Sequence, residues 1–235
     1  MPHTYTTTER IIEVMSIRTR YEKELQEIFD RLVLMCRHIE VAIEKSVRSL
    51  TERDRDLAKE VFEIEELIDR MERDIEQACL KILMMEQPVA RDFREVSAVL
   101  KMITDLERIG DQARDIAEIS MQFDEERIFK KLVHIPQMSA IVTQMVKDGV
   151  LSYINRDVEL ARSLDKSDDK VDALFNLVMN ELIEFVRKNP DDAEQAVMFI
   201  MINKYLERIG DHAVNIGEWV EYAITGTHPK REPTD

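Results

Sequence analysis

Glycine and proline are scarce in this chain, at five and six of 235 residues. So few breakers exclude a turn-dense, many-stranded architecture. With abundant Glu, Leu, Ile, Met and Arg they leave an all-α protein. Cysteine is scarcer still. Cys36 and Cys79 lack a CxxC partner, which excludes a disulfide framework or a zinc ribbon and leaves two buried, reduced thiols in a cytoplasmic protein. No dense Lys/Arg stretch is present, which excludes a nucleic-acid-binding face. The longest apolar run, residues 196–202, is far shorter than the roughly 20 residues that span a bilayer. The N-terminus carries no apolar signal core, so export is not expected.

What is present is charge and helical periodicity. The net charge is −15, which favours solubility and attracts cations or basic partners. The pattern predicts a first helix over residues 16–51, with Leu25, Ile28, Leu32, Met35, Ile39 and Ile43 on one stripe. A second runs from the charged corner after Glu52 to about Glu86, where Pro88 breaks it. A third covers residues 90–123. The scheme then repeats, with helices over 136–155, 157–188 and 191–224, the last stopped at Gly226. Helices of about 30 residues are about 45 Å long, and three joined by short corners form an antiparallel bundle. The expected organisation is two tandem pseudo-symmetric three-helix bundles, residues 16–126 and 127–226. Loose termini are expected over 1–15 and 227–235.

The strongest motif is LERIGD, written at 106–111 and again at 206–211, 100 residues apart. Across 106–118 and 206–218, nine of 13 residues are identical, the mark of a duplication. Duplication alone does not explain why the retained residues are Glu, Arg, Gly and Asp, since core positions drift among apolar types at little cost. Glu107, Asp111 and Asp115 stand at i, i+4, i+8, a stripe that drifts about 40° per step. The second copy has Glu207, Asp211 and Asn215. Like charges at i, i+4 cost a helix about 0.2–0.5 kcal/mol per pair, so something should offset that cost. The second helix of each half carries a matching pair, Glu65 and Asp69 in one and Asp168 and Asp172 in the other. If these helices face the motif helices, four carboxylates meet in each half, a donor set for a hard or borderline cation. Gly110 and Gly210, costly in mid-helix, would admit a ligand or a neighbouring helix.

An acidic stripe is more often a solvated, salt-laced surface, with Arg108 and Arg114 three residues either side of Asp111. An isolated ExxxD would be read that way. The duplication and the second stripe make a metal site an even alternative. Among other residues, His212 is expected at the surface, turned about 100° from Asp211. His38, His134 and His228 have no evident partners. Trp219 reads as a packing residue, and Met198, Met201 and Ile202 as candidates for an adaptable partner groove.

The two LERIGD segments, the second continuing His212-Ala213-Val214-Asn215-Ile216, resemble the paired signatures of the PhoU family. The turn Glu86-Gln87-Pro88-Val89-Ala90-Arg91-Asp92-Phe93-Arg94 resembles the family's entry into the first signature helix, and the likeness covers about residues 20–225. The resemblance implies two pseudo-symmetric three-helix bundles. It implies an accessory protein of the bacterial phosphate-specific transport system. Such a protein acts as a negative regulator, linking the ATPase of the phosphate ABC importer to a sensor histidine kinase. It implies metal ligands at Glu107, Asp111, Glu207 and Asp211, to which facing geometry adds Glu65, Asp69, Asp168 and Asp172. Asp115, where the signature often has Asn, would give the first site a further anionic ligand. The metal is left open among Fe, Zn, Mn and Mg. A homodimer that reaches the membrane only through its partners is expected, with the partner-binding surface undefined.

No catalytic constellation is evident, so no enzyme activity is expected. A ferritin-like di-iron protein with a storage or redox role is the alternative. It needs paired ExxH motifs, and no histidine here follows a glutamate by three. A purely structural helical adaptor, with the acidic stripes as docking surface, is the other.

Overall fold

The computed structural model describes residues 7–123 and 133–229, with side chains from Arg18 on. Six α-helices fill them: α1 Thr7–Glu52, α2 Arg55–Glu86, α3 Arg91–Ser120, α4 His134–Asn155, α5 Val158–Lys188 and α6 Ala193–Thr225. A 3-10 turn, Pro190–Asp192, leads into α6, and no strand occurs among the described residues. None of these helices is long and apolar enough to cross a membrane. The expected boundary at 126/127 lies outside the described residues, as do 1–6 and 230–235 of the termini.

The corners follow from local chemistry. Asp54 caps α2, its side chain accepting from the N–H groups of Asp56 at 2.9 Å and Leu57 at 3.2 Å. Asp157 caps α5 by accepting from the N–H of Leu160 at 2.9 Å. Gly226 ends α6 in the left-handed region at φ 82°, its N–H bonded to the Tyr222 carbonyl, as the sequence predicts. Two limits differ from expectation. Helix α1 begins at Thr7 rather than near residue 16, because residues 7–15 contain no Gly or Pro to stop it and include the helix formers Glu9, Arg10, Glu13 and Met15. The Asn189-Pro190 break is followed by a 3-10 turn before α6, so that helix starts at Ala193.

Helices α1–α3 pack as one three-helix unit and α4–α6 as another. The repeat-bearing helices α3 and α6 pack against each other, and α1 packs against α4. Helices α2 and α5 lie outside, each against the two other helices of its own half. The halves share one continuous core, from Leu32, Ile39 and Ile43 through Ile109 and Ile209 to Val171 and Val178. Polar ties also cross between them. The Tyr153 hydroxyl of α4 donates to the Glu95 carbonyl of α3 at 2.9 Å, and Arg156 pairs with the Glu95 carboxylate. Cys36 and Cys79 are buried free thiols, their pKa values pushed up to about 12 by burial first.

Candidate metal centre

The duplicated glycines set the spacing that the site depends on. A Cβ on Gly110 would lie 3.2 Å from Cγ2 of Ile68, so the missing side chain lets α2 close onto α3. Val171, the α5 counterpart of Ile68, lies 3.6 Å from the corresponding point on Gly210. There Asp168 Oδ1 comes nearer still, at 2.7 Å. The slot thus seats a neighbouring helix in both halves and, in the second, a carboxylate as well.

In the first half this closeness gathers acids. Glu65 and Asp69 of α2 and Asp111 of α3 each place an oxygen within 4.8 Å of the others. Glu65 is buried, while Asp69 and Asp111 are half-buried. Burial raises the Glu65 pKa and the nearby Asp69 and Asp111 add to that, against the lowering effect of Arg114. Glu107 is likewise raised by burial, then by Asp111. Glu72, which sequence spacing did not single out, is a further repelling neighbour. Three carboxylates without nitrogen or sulfur form an oxygen donor set that suits a hard divalent cation, so the residues present fit a metal.

Local cations offset part of this charge. Arg114 Nη1 donates to both Glu65 oxygens, at 3.1 and 3.0 Å, with its guanidinium 5.7 Å from the centre of the Phe62 ring. Arg108 donates to Asp111 at 3.0 Å, the i+3 pair anticipated from sequence, and Arg73 stands 3.7 Å from Asp69.

The second half is not an equal copy. Asp172 feels Glu207 and is raised by burial and then by that charge. Asp172 and Asp211 are exposed, unlike their counterparts Asp69 and Asp111. Lys204 donates to both Glu207 oxygens at 2.6 Å. Among the described residues, only the first half gathers three acids to ligand distance. Asp115 lies outside the three-acid group, with Asp111 as its strongest repelling charge. It accepts a hydrogen bond from Tyr205 on α6, and burial and Asp111 raise its pKa.

Two expectations about histidines change. His212 is half-buried rather than a surface residue, because α3 packs over it. Its Nδ1 lies 2.9 Å from Asp105 Oδ1, which also accepts from Asn215 Nδ2 at 3.2 Å. His134, expected without partners, lies 3.1 Å from Gln137 and 3.4 Å from Glu181. His228 stacks on Tyr222 at 4.2 Å. Trp219 is part-buried against the core, as expected of a packing residue. Of the suggested groove, Met201 is exposed but Ile202 is fully buried in the core.

The α3–α6 contacts have a symmetry that sequence reasoning missed. Residues 105 and 205 each precede a LERIGD, and 115 and 215 each lie ten further on. Position 105 pairs with 215 and position 205 with 115, so the two repeats clasp each other about a local two-fold. The available signal was the coincidence of polar residues at equivalent positions in both copies.

The PhoU domain model matches residues 32–120 and 135–220, one copy in each half. A phosphate-specific transport system accessory protein PhoU homologue from Clostridium acetobutylicum is 33% identical over 210 residues, 89% of this chain and 96% of that protein. The homologue from Aquifex aeolicus is 36% identical over 186 residues, 79% of this chain and 84% of its own length. The crystal structure of PhoU from Pseudomonas aeruginosa superposes with a TM-score of 0.83 at 33% identity, covering 88% of this chain and all (100%) of that one. The phosphate transport system regulatory protein PhoU from Streptococcus pneumoniae, 23% identical, shares the fold at a TM-score of 0.83. With a domain copy on each bundle and relatives matched over most of their length, this chain belongs to the PhoU family.

Proposed function

We propose that this protein is a regulatory accessory protein of phosphate uptake. It acts in the cytoplasm as a non-enzymatic negative regulator of the phosphate-starvation response, an adaptor between the phosphate ABC importer's ATPase and a sensor histidine kinase. It works as a homodimer and meets the membrane only through those partners. A divalent metal binds the acidic stripes, with Glu65, Asp69 and Asp111 as the core of the stronger site and Glu107 at its edge. The second site, with Glu207, Asp211, Asp168 and Asp172, is weaker.

The observation that carries the regulatory reading is the match of a PhoU domain to each half, shared with relatives named as phosphate-specific transport accessory proteins. The metal reading is supported by the convergence of Glu65, Asp69 and Asp111 from two helices. Deletion of the gene in its own host, with a phosphate-starvation reporter read in phosphate-rich medium, tests the regulatory role. The reporter is expected to switch on despite ample phosphate and to be repressed again by the wild-type chain. A reporter that stays off in the deletion strain contradicts the reading.

A further inference from the structure

The first acidic site already holds cations of the protein's own, and of Arg73, Arg108 and Arg114 only Arg114 reaches across from one helix to the other. Arg114 reaches from α3 to α2 and places one nitrogen against both oxygens of Glu65. Glu65 is the most enclosed of the gathered acids, with a side chain 7% exposed, whereas the Arg114 side chain is 49% exposed. The anion is therefore fixed in the helix interface while the cation lies at its rim, free to swing outward. A guanidinium cannot coordinate a metal, and Arg114 Nη1 lies across both Glu65 oxygens, so an ion that chelates Glu65 from that side must displace it, while one that takes the remaining lone pairs sits beside a positive charge. Position 114 is also where the halves diverge. Its counterpart is Val214, an apolar and buried residue. The second half's cation, Lys204, sits instead on Glu207, and the residue matching it in the first half is Thr104.

We infer that Arg114 is a tethered competitor for the metal at Glu65, Asp69 and Asp111: the guanidinium must leave Glu65 before a divalent ion takes the three carboxylates. The inference rests on the metal reading above. It makes Arg114 an affinity-setting residue that the motif does not contain. It also makes metal entry an exchange of one cation for another. The buried Glu65 is then compensated in both states, by Arg114 in one and by the ion in the other, as a buried carboxylate requires. Once released, the guanidinium remains beside Phe62 at the rim, where a cation over an aromatic face is tolerated.

The test is a Mn2+ titration of chelator-treated full-length protein, with free ion read from its room-temperature paramagnetic resonance signal. Wild type is compared with Arg114→Met, Arg114→Gln and Glu65→Gln, each checked by thermal melting. The tighter of the bound ions should be held about tenfold more strongly by Arg114→Met, the order expected when charge-assisted hydrogen bonds no longer have to be broken. Arg114→Gln carries the same expectation should the Met variant fail to fold. Glu65→Gln should lose that ion. Affinity unchanged or weakened in both folded Arg114 variants, with wild type binding Mn2+, overturns the competitor role alone. No bound Mn2+ in any of the proteins overturns the metal reading and this inference together.

Discussion

At Glu65 two influences oppose each other, a guanidinium that favours its charge and an enclosure with two other acids that disfavours it. The net direction is upward from the ordinary 4.5, so the folded chain holds this proton more tightly than the unfolded chain does. A carboxyl raised on folding costs stability once it ionises, and stability should recover as pH falls through the raised value towards 4.5. Glu107, Asp115 and Asp172 are shifted the same way. Metal-free wild type should therefore gain melting temperature relative to Glu65→Gln as pH drops from 7 towards 5. A constant difference between the two proteins would remove Glu65 from the account. The glycines give a second test. A Cβ on Gly217 would meet the Ala161 carbonyl oxygen and Leu164 Cδ1, both at 2.9 Å, whereas one on Gly110 meets only Ile68 atoms from 3.2 Å outward. Gly217→Ala should lose about 1–3 kcal/mol to overpacking. Gly110→Ala should lose less, helix propensity returning about 1 kcal/mol. Urea unfolding of both variants decides it, and equal stabilities would refute the packing argument. The acids were legible at this scale because a repeated i, i+4 spacing fixes a helix face. Arg114 was legible only as an i+3 neighbour of Asp111. Its actual partner, 49 positions away, depends on how close α2 approaches.

For the helices, sequence told most where local chemistry decides. The ends of α2 and α6 fall where Pro88 and Gly226 place them, and Asp54 and Asp157 stand at the caps. Asp54→Ala should cost about 1 kcal/mol in a chemical unfolding experiment, since two N–H groups lose their acceptor. Asp157→Ala should cost no more than that, with one bond lost, and no loss in either variant would show that these caps are replaced by water. The start of α1 was misread because its polar, Thr-rich opening resembles a loose arm, although Thr6-Thr7-Thr8-Glu9 has the spacing of a capping box. The six-helix, two-bundle arrangement was legible because each amphipathic stripe needs a partner and the corners are short.

Across the whole molecule, the halves are not independent modules. Helices α3 and α6 clasp through Asp105, His212 and Asn215 on one side and Asp115 and Tyr205 on the other. Sequence spacing could assign these residues to a half but not to a partner across the interface, so His212 read as a surface residue and the Tyr205 neighbour of Asp115 went unseen. Asp105→Ala leaves two half-buried donors without this acceptor and should cost about 1–3 kcal/mol, with unfolding still a single transition. A near-neutral variant would mean the clasp is incidental to stability. The duplication also produced unlike sites, with acids gathered in the first half and Lys204 seated on Glu207 in the second. The most direct test is the metal content of the protein purified from its own host, wild type against Glu65→Gln/Asp69→Asn/Asp111→Asn. Bound iron, zinc, manganese or magnesium that falls in the folded triple variant is the predicted result. Equal content in the two proteins, or no metal in either, would contradict the claim that the acidic stripes are a metal centre.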